Sequence, residues 1–273
     1  MAKGKLIVLE GIDGSGKSAQ YRRLCARFDE AGMAYRVEFR TENTVRILVR
    51  PAGSPLVTQR LVVDSVPAAP VEVRREAIEH GYAFRTPQLR VEFDRTRGLF
   101  SFRDARTDAL LLAETARSLR PDTVGGEACY AVTQRFAGTD DEALYGLGQY
   151  QTGALNYKRD TVLLLQANKD IVNPYLVSTR GFGLLWDNYS ASEFRDGGDA
   201  FEFTSEVGDA VDYWFVYGGD PAGCVRGYRA LTGAASMLPK WAFGFWQSRE
   251  RYKSFDELTR VVSEYRRRHI PID

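Results

Sequence analysis

From Tyr35 onward apolar side chains recur at every second position, and that spacing admits few folds. Tyr35, Val37 and Phe39 alternate with Arg36, Glu38 and Arg40. The pattern returns in Val45-Arg46-Ile47, in Leu89-Arg90-Val91-Glu92-Phe93 and across residues 98–103. Successive side chains of a strand point to opposite faces, so each run offers one face to a core and the other to water. Further strand-like runs occupy residues 161–165, 175–178, 183–186, 200–204 and 213–217. Pro51-Ala52-Gly53, Gly125-Gly126, Gly197-Gly198 and Gly218-Gly219 separate such runs as turns. Many short strands with this punctuation predict a mainly β chain built as an antiparallel β-sandwich. Helical periodicity is nearly absent between residues 40 and 218.

The two ends follow other rules. Lys5-Leu6-Ile7-Val8-Leu9 is a continuous apolar run, as a buried parallel strand requires. Tyr21, Leu24, Cys25 and Phe28 then share one face of a helix, with Gly32 as its C-cap. Residues 1–33 therefore read as a strand–loop–helix leader. Near the other end, Asp220-Pro221 starts a helix whose face carries Val225, Tyr228 and Leu231 and which Gly233 closes. The dense aromatic run at residues 241–247 suits a buried strand. Ser254-Phe255-Asp256-Glu257 is a capping box, after which Phe255, Leu258, Val261, Val262 and Tyr265 trace an amphipathic helix. Ile270-Pro271-Ile272 looks like the entry to another strand. Strand, helix, strand is the opening βα unit of a parallel α/β arrangement. The expected divisions are residues 1–33, 34–237 and 238–273.

Charge and cysteine usage exclude several functions. Lys plus Arg (37) nearly equals Asp plus Glu (36), so no global field draws the chain to nucleic acid or an anionic membrane. No apolar run is long enough to span a bilayer. The stretch at residues 6–9 is too short for a signal-peptide core, so the chain as written reads as cytoplasmic. Cys25, Cys129 and Cys224 are widely spaced, and the histidines are His80 and His269, which leaves neither a disulfide framework nor a zinc site. No metal site is expected. Asp140-Asp141-Glu142 reads as a solvated loop, and Asp187-Asn188 as an Asx turn.

Gly11-Ile12-Asp13-Gly14-Ser15-Gly16-Lys17-Ser18 matches the phosphate-binding loop pattern. In such a loop, Gly11, Asp13, Gly14, Ser15 and Gly16 bring backbone N–H groups onto phosphate oxygens. Lys17 reaches the β/γ-phosphates, and Ser18 holds Mg²⁺. Residues 1–33 resemble the start of a thymidylate kinase, which implies ATP and Mg²⁺ as partners and transfer of a phosphoryl group to a nucleoside monophosphate. One strand and one helix cannot bury their apolar faces alone. The other charges that phosphoryl transfer needs are not legible either; Asp94-Arg95-Thr96 is the nearest approach, inside an alternating β segment. A nucleotide kinase therefore stands as an alternative only.

A longer resemblance begins near Ala34. Leu144-Tyr145-Gly146-Leu147-Gly148-Gln149, Leu155-Asn156-Tyr157-Lys158 and Gly183-Leu184-Leu185-Trp186-Asp187-Asn188-Tyr189-Ser190 are followed by Leu231-Thr232-Gly233. Then comes Leu238-Pro239-Lys240-Trp241-Ala242-Phe243-Gly244-Phe245-Trp246-Gln247-Ser248-Arg249. In this order they resemble family 31 glycoside hydrolases, nearest to the α-xylosidase branch, over residues 34–273. The resemblance implies a galactose-mutarotase-like β-sandwich packed on a (β/α)₈ barrel. It also implies retaining hydrolysis of an oligosaccharide or other α-glycoside, of xylosidase or glucosidase type, without metal or organic cofactor. Residues 241–249 would be barrel strand one, 254–267 the first barrel helix, and 270–273 the start of strand two. The family's catalytic carboxylates lie on later strands, so no catalytic residue transfers. The expectation is a truncated retaining α-glycosidase that does not complete its reaction as written.

Trp246, Gln247 and Arg249 are the candidate substrate-binding residues, an aromatic ring face and two polar groups at a strand end. Packing is the plainer role for that aromatic run. The loop at residues 149–158 either leans over the sugar or does turn chemistry with its Gly and Asn. A non-catalytic carbohydrate-binding module is the remaining alternative.

Overall fold

Alternation along the strands fills one core between two sheets. In strand Thr44–Pro51, Val45, Ile47 and Val49 are buried together with Val37 and Phe39 of strand Met33–Thr41. Val91 and Phe93 of Leu89–Asp94, Phe100 and Phe102 of Leu99–Asp104, and Phe201 and Phe203 of Ala200–Gly208 join the same cluster. Rings meet across the layers: Phe102 stacks on Phe215 with centroids 4.2 Å apart, and Trp186 on Phe203 at 5.5 Å. The structure is a computed structural model and describes residues 6–8, 25–30, 32–54, 61–63 and 71–272.

Among the described residues one sheet has eight strands. Their spatial order is Leu6–Val8, Cys25–Glu30, Met33–Thr41, Thr44–Pro51, Val211–Tyr217, Phe182–Trp186, Ile171–Ser178 and Leu144–Gln149. The other has nine, ordered Thr161–Leu164, Ser192–Asp196, Ala200–Gly208, Glu127–Ala137, Leu110–Val124, Leu99–Asp104, Leu89–Asp94, Gly81–Arg85 and Arg74–Ile78. Every pairing is antiparallel. The expected sandwich is present.

Helix Pro221–Thr232 covers part of the outer face of the eight-stranded sheet. Its Cys224 and Leu231 cluster with Tyr175, Leu185, Trp214 and Val216. The Asp220 carboxylate accepts the Gly223 N–H at 2.5 Å, the expected N-cap. Val225, expected on the buried face, is instead exposed. The reason is close packing: a Cβ on Gly223 would meet the Gly218 carbonyl oxygen at 2.0 Å, and one on Gly227 the Val216 side chain at 2.3 Å. Those two glycines set which side of the helix faces the sheet, and Val225 lies on the other.

The leader is corrected. Cys25–Glu30 is a strand, not the second half of a helix, and it pairs antiparallel with Leu6–Val8 and with Met33–Thr41. Leu6–Val8 is accordingly an antiparallel strand and not the parallel one expected. Gly32 lies in the hairpin turn, at φ 78°, and is not a helix cap. Tertiary packing overrides the helical spacing. Phe28 is buried, its ring stacked on Tyr35 at 5.1 Å and tilted against Phe93 at 4.6 Å. Glu30 adds a salt bridge to Arg95 at 3.0 Å. The phosphate-loop residues Gly11, Asp13, Gly14, Ser15, Gly16, Lys17 and Ser18 lie outside the described residues. The helix that such a loop needs after Ser18 would meet this strand at Cys25.

Two compact units divide the chain, Met1–Gly233 and Ala234–Asp273. In the second, residues 241–249 are not the expected strand. Lys240–Phe243 forms a 3₁₀ turn, and residues 244–249 pair with nothing as a strand. Residues 270–272 form no strand either. A parallel barrel strand takes its backbone partners from strands on both sides, and none is paired here among the described residues of this unit. The helix is as expected: Phe255–Arg267, with the Ser254 hydroxyl accepting the Glu257 N–H at 3.2 Å.

Phe28→Ala should destabilise the sandwich by about 3 kcal/mol, as for deletion of other buried rings. Urea denaturation followed by intrinsic fluorescence measures it; an unchanged midpoint and slope would mean that Cys25–Glu30 does not dock.

Candidate functional site

Of the residues proposed to touch sugar, Arg249 lies at the start of helix Phe255–Arg267, Gln247 reaches Tyr265 near its end, and Trp246 contacts Ala242 and Trp241. The Arg249 guanidinium donates to Glu257 Oε1 at 2.6 Å and lies over the Tyr252 ring at 5.4 Å. Gln247 Oε1 accepts from the Tyr265 hydroxyl, and its amide nitrogen lies 3.4 Å from the Tyr252 hydroxyl. The Trp246 indole N–H donates to the Ala242 carbonyl at 3.1 Å, and its ring sits 6.0 Å from that of Trp241. Trp246 is 61% exposed, so its ring face is open within this unit. Sequence reasoning named Trp246, Gln247 and Arg249 but missed Glu257 and Tyr265, which hold Arg249 and Gln247. The signal was present in the capping box. Glu257 does not close it reciprocally; its carboxylate accepts the Lys253 N–H at 2.9 Å while reaching Arg249. That backbone N–H, with Arg249 beside it, holds the Glu257 carboxyl below its usual range.

In the sandwich, the buried carboxylates serve the scaffold. Glu114 accepts the Phe100 N–H at 2.7 Å, the Arg117 guanidinium at 2.6 Å and the Tyr213 hydroxyl at 2.7 Å. Asp104 accepts the Tyr217 hydroxyl at 2.6 Å, which holds its carboxyl below the ordinary range. Glu142, expected in a solvated loop, is buried, with the Ser178 hydroxyl at 2.8 Å and the Thr139 N–H at 3.0 Å. It reads as loop in sequence because its neighbours Asp140 and Asp141 are exposed. Asp187 is no Asx turn; it takes the Trp214 indole N–H at 3.2 Å and the Tyr189 hydroxyl at 2.8 Å. The turn belongs to Asn188, whose side-chain oxygen accepts the Ser190 N–H at 2.9 Å. Each of these groups stabilises a fold contact.

Residues 149–158 form a loop fixed at both ends. The strand leading into it bends at Gly146-Leu147-Gly148, where the register with Ile171–Ser178 shifts. Leu147 there has φ 64°, and a Cβ on Gly148 would lie 2.0 Å from the Ile171 carbonyl oxygen. At the far end the Asn156 side-chain oxygen accepts the Leu144 and Lys158 N–H groups at 2.9 and 3.0 Å. Lys158 Nζ lies 2.7 Å from the Gly198 carbonyl, 3.3 Å from Asp196 and 3.8 Å from Glu142. Tyr157 is buried and meets Tyr150 edge-on at 6.4 Å. Asn156 thus does turn chemistry, as the plainer alternative expected.

Cys129 and Cys224 are free and buried, and burial pushes the Cys224 thiol up to about 11. Among the described residues no group of His, Cys, Asp and Glu is placed to hold a metal ion. No helix there is long and apolar enough to cross a membrane.

The profile of the "Glycosyl hydrolase 31 N-terminal galactose mutarotase-like domain" matches residues 34–194, and that of the "Glycosyl hydrolases family 31 TIM-barrel domain" matches residues 235–273. The chain belongs to glycosyl hydrolase family 31. It is 35% identical over 248 residues to an α-xylosidase of Saccharolobus solfataricus, covering 87% of this chain and 33% of that one. It is 26% identical over 261 residues to α-glucosidase 2 of Bacillus thermoamyloliquefaciens, covering 87% and 31%. The crystal structure of a family 31 α-xylosidase from a soil metagenome, complexed with xylose, superposes with a TM-score of 0.76 at 30% identity, covering 91% of this chain and 39% of that one. The chain thus spans about a third of the length of the curated relatives it matches.

Burial pushes the Tyr150 hydroxyl up to about 12; its partner is the Leu147 carbonyl at 3.0 Å. A tyrosine in the unfolded chain titrates near 10, so the unfolded state loses its proton first. The stability Tyr150 contributes is complete below about pH 10 and falls as pH rises toward 12. Thermal melts between pH 8 and 11.5 should show a falling midpoint above pH 10, with a shallower fall for Tyr150→Phe. Identical slopes for the two proteins would contradict it.

Proposed function

We propose that this chain is the sandwich and barrel-entry portion of a retaining α-glycosidase acting on α-xylosides or α-glucosides. The observation that carries this is the ordered pair of family matches, sandwich at residues 34–194 and barrel at 235–273. Its α-xylosidase and α-glucosidase relatives supply the substrate class. Retaining cleavage takes a carboxylate nucleophile and a carboxylic acid about 5 Å apart, and neither metal nor organic cofactor. The sandwich carboxylates described above are engaged in fold contacts, which supports placing neither catalytic role on them. Within this proposal Trp246 offers its ring face to a sugar, while Gln247 and Arg249 supply polar groups at the rim.

A polypeptide of these 273 residues should release no nitrophenol above the blank from 4-nitrophenyl α-xyloside or α-glucoside. Steady turnover of either would place the catalytic pair inside these residues. Xylose should quench tryptophan emission saturably, and Trp246→Ala should weaken this roughly tenfold, the size of one lost stacking contact. Unchanged quenching in Trp246→Ala would leave that ring to packing alone.

A further inference from the structure

Lys158 is a buried cation that takes no part in the sugar contacts proposed above. Its side chain is 9% exposed, and the two carboxylates that face it, those of Glu142 and Asp196, are fully buried. The ammonium stands where three stretches of chain meet. Residues 138–143 carry the chain from the nine-stranded sheet to the eight-stranded one, and residues 150–160 carry it back. Glu142 belongs to the first crossing and Lys158 to the second, while Asp196 and Gly198 belong to the hairpin joining Ser192–Asp196 to Ala200–Gly208. The backbone closes in as well: a Cβ on Gly138 would lie 3.3 Å from Lys158 Nζ.

Each partner also holds its own stretch. Glu142 accepts the Thr139 N–H and the Ser178 hydroxyl, and Asp196 accepts the Arg159 and Gly198 N–H groups at 2.9 and 2.8 Å. Two more bonds run between the stretches, from the Gly138 N–H to the Asp199 carbonyl at 2.8 Å and from the Asp196 N–H to the Asp160 carbonyl at 2.9 Å. One ammonium therefore compensates two buried carboxylates. Without it their charges would be left in the interior, and admitting water is the least costly relief, which parts all three stretches together. The second crossing has a hinge besides. It follows Gly146, Leu147 and Gly148 at φ 100°, 64° and 123°, and it lays Tyr150, Ala154 and Tyr157 against the core. We propose that residues 150–160 form a strap across the side of the sandwich, latched by Lys158, that opens in one step with residues 138–143 and 197–199. The strap lies wholly in the sandwich, and its motion does not depend on the roles proposed for Trp246, Gln247 and Arg249.

The test is amide hydrogen exchange of the full chain, followed residue by residue by NMR through sub-denaturing urea. The amides of Thr139, Tyr157, Arg159, Asp196 and Gly198 should converge on one opening reaction, with protection equal within about threefold and below that of Val211–Tyr217. Lys158→Met keeps the length of the side chain and removes its charge. It should speed all five amides by about tenfold or more and leave Val211–Tyr217 within about twofold. Arg159→Ala removes only an exposed pair with Asp140 and should change none of the five by more than about twofold. The proposal is overturned if the five amides of the unaltered chain open independently, or if Lys158→Met speeds only Tyr157 and Arg159. The measurement on the unaltered chain decides the matter by itself if Lys158→Met does not fold.

Discussion

Ring-to-ring packing between two antiparallel sheets is the constraint on which the rest of this molecule depends. Phe102 meets both Phe215 and Tyr213 across the layers, and Phe136 lies between Phe201 at 5.3 Å and Tyr213 at 5.3 Å. Large rings at alternate positions can be buried from both sides only if every strand keeps its register, since a one-residue slip would turn each ring to water. Polar side chains are buried as well, Glu114 and Gln134 among them. Glu114 and Gln134 share Arg117, which donates 2.9 Å to the Gln134 oxygen and also reaches the Gly98 carbonyl. Removing one partner from such a network leaves a buried charge uncompensated, which costs more than the network contributes intact.

That core frees the outer faces for other work. On the eight-stranded sheet buried Glu38 and Arg46 and half-buried Asp212 form an ionic row, with Arg46 also over the Trp214 ring at 5.7 Å. Helix Pro221–Thr232 covers the neighbouring apolar stretch through its glycine-lined side.

Much of the sandwich was legible because its strands alternate cleanly. Leu89–Asp94 and Leu99–Asp104 could be read directly, as could Val211–Tyr217. Leu110–Val124 could not: most of it is exposed or half-buried, so no core face writes a period into it, and Pro121 argues against a strand. Cys25–Glu30 failed for the opposite reason. Its residues fit a helical spacing as well, and only Tyr35 and Phe93, distant in sequence, decide for the strand. At the candidate site, the types of Trp246, Gln247 and Arg249 were readable, whereas the geometry that joins Arg249 to Glu257 and Gln247 to Tyr265 was not. The aromatic run at residues 241–247 shows the same limit, since a strand needs partners as well as composition.

A single cooperative sandwich begins by Cys25 and includes residues which look, in sequence, like part of a different protein. Amide hydrogen exchange of the whole chain tests it most directly. Cys25–Glu30 should exchange slowly with Met33–Thr41 and Val211–Tyr217, as one class. Exchange of Cys25–Glu30 at the unprotected rate, beside a protected Met33–Thr41, would contradict it.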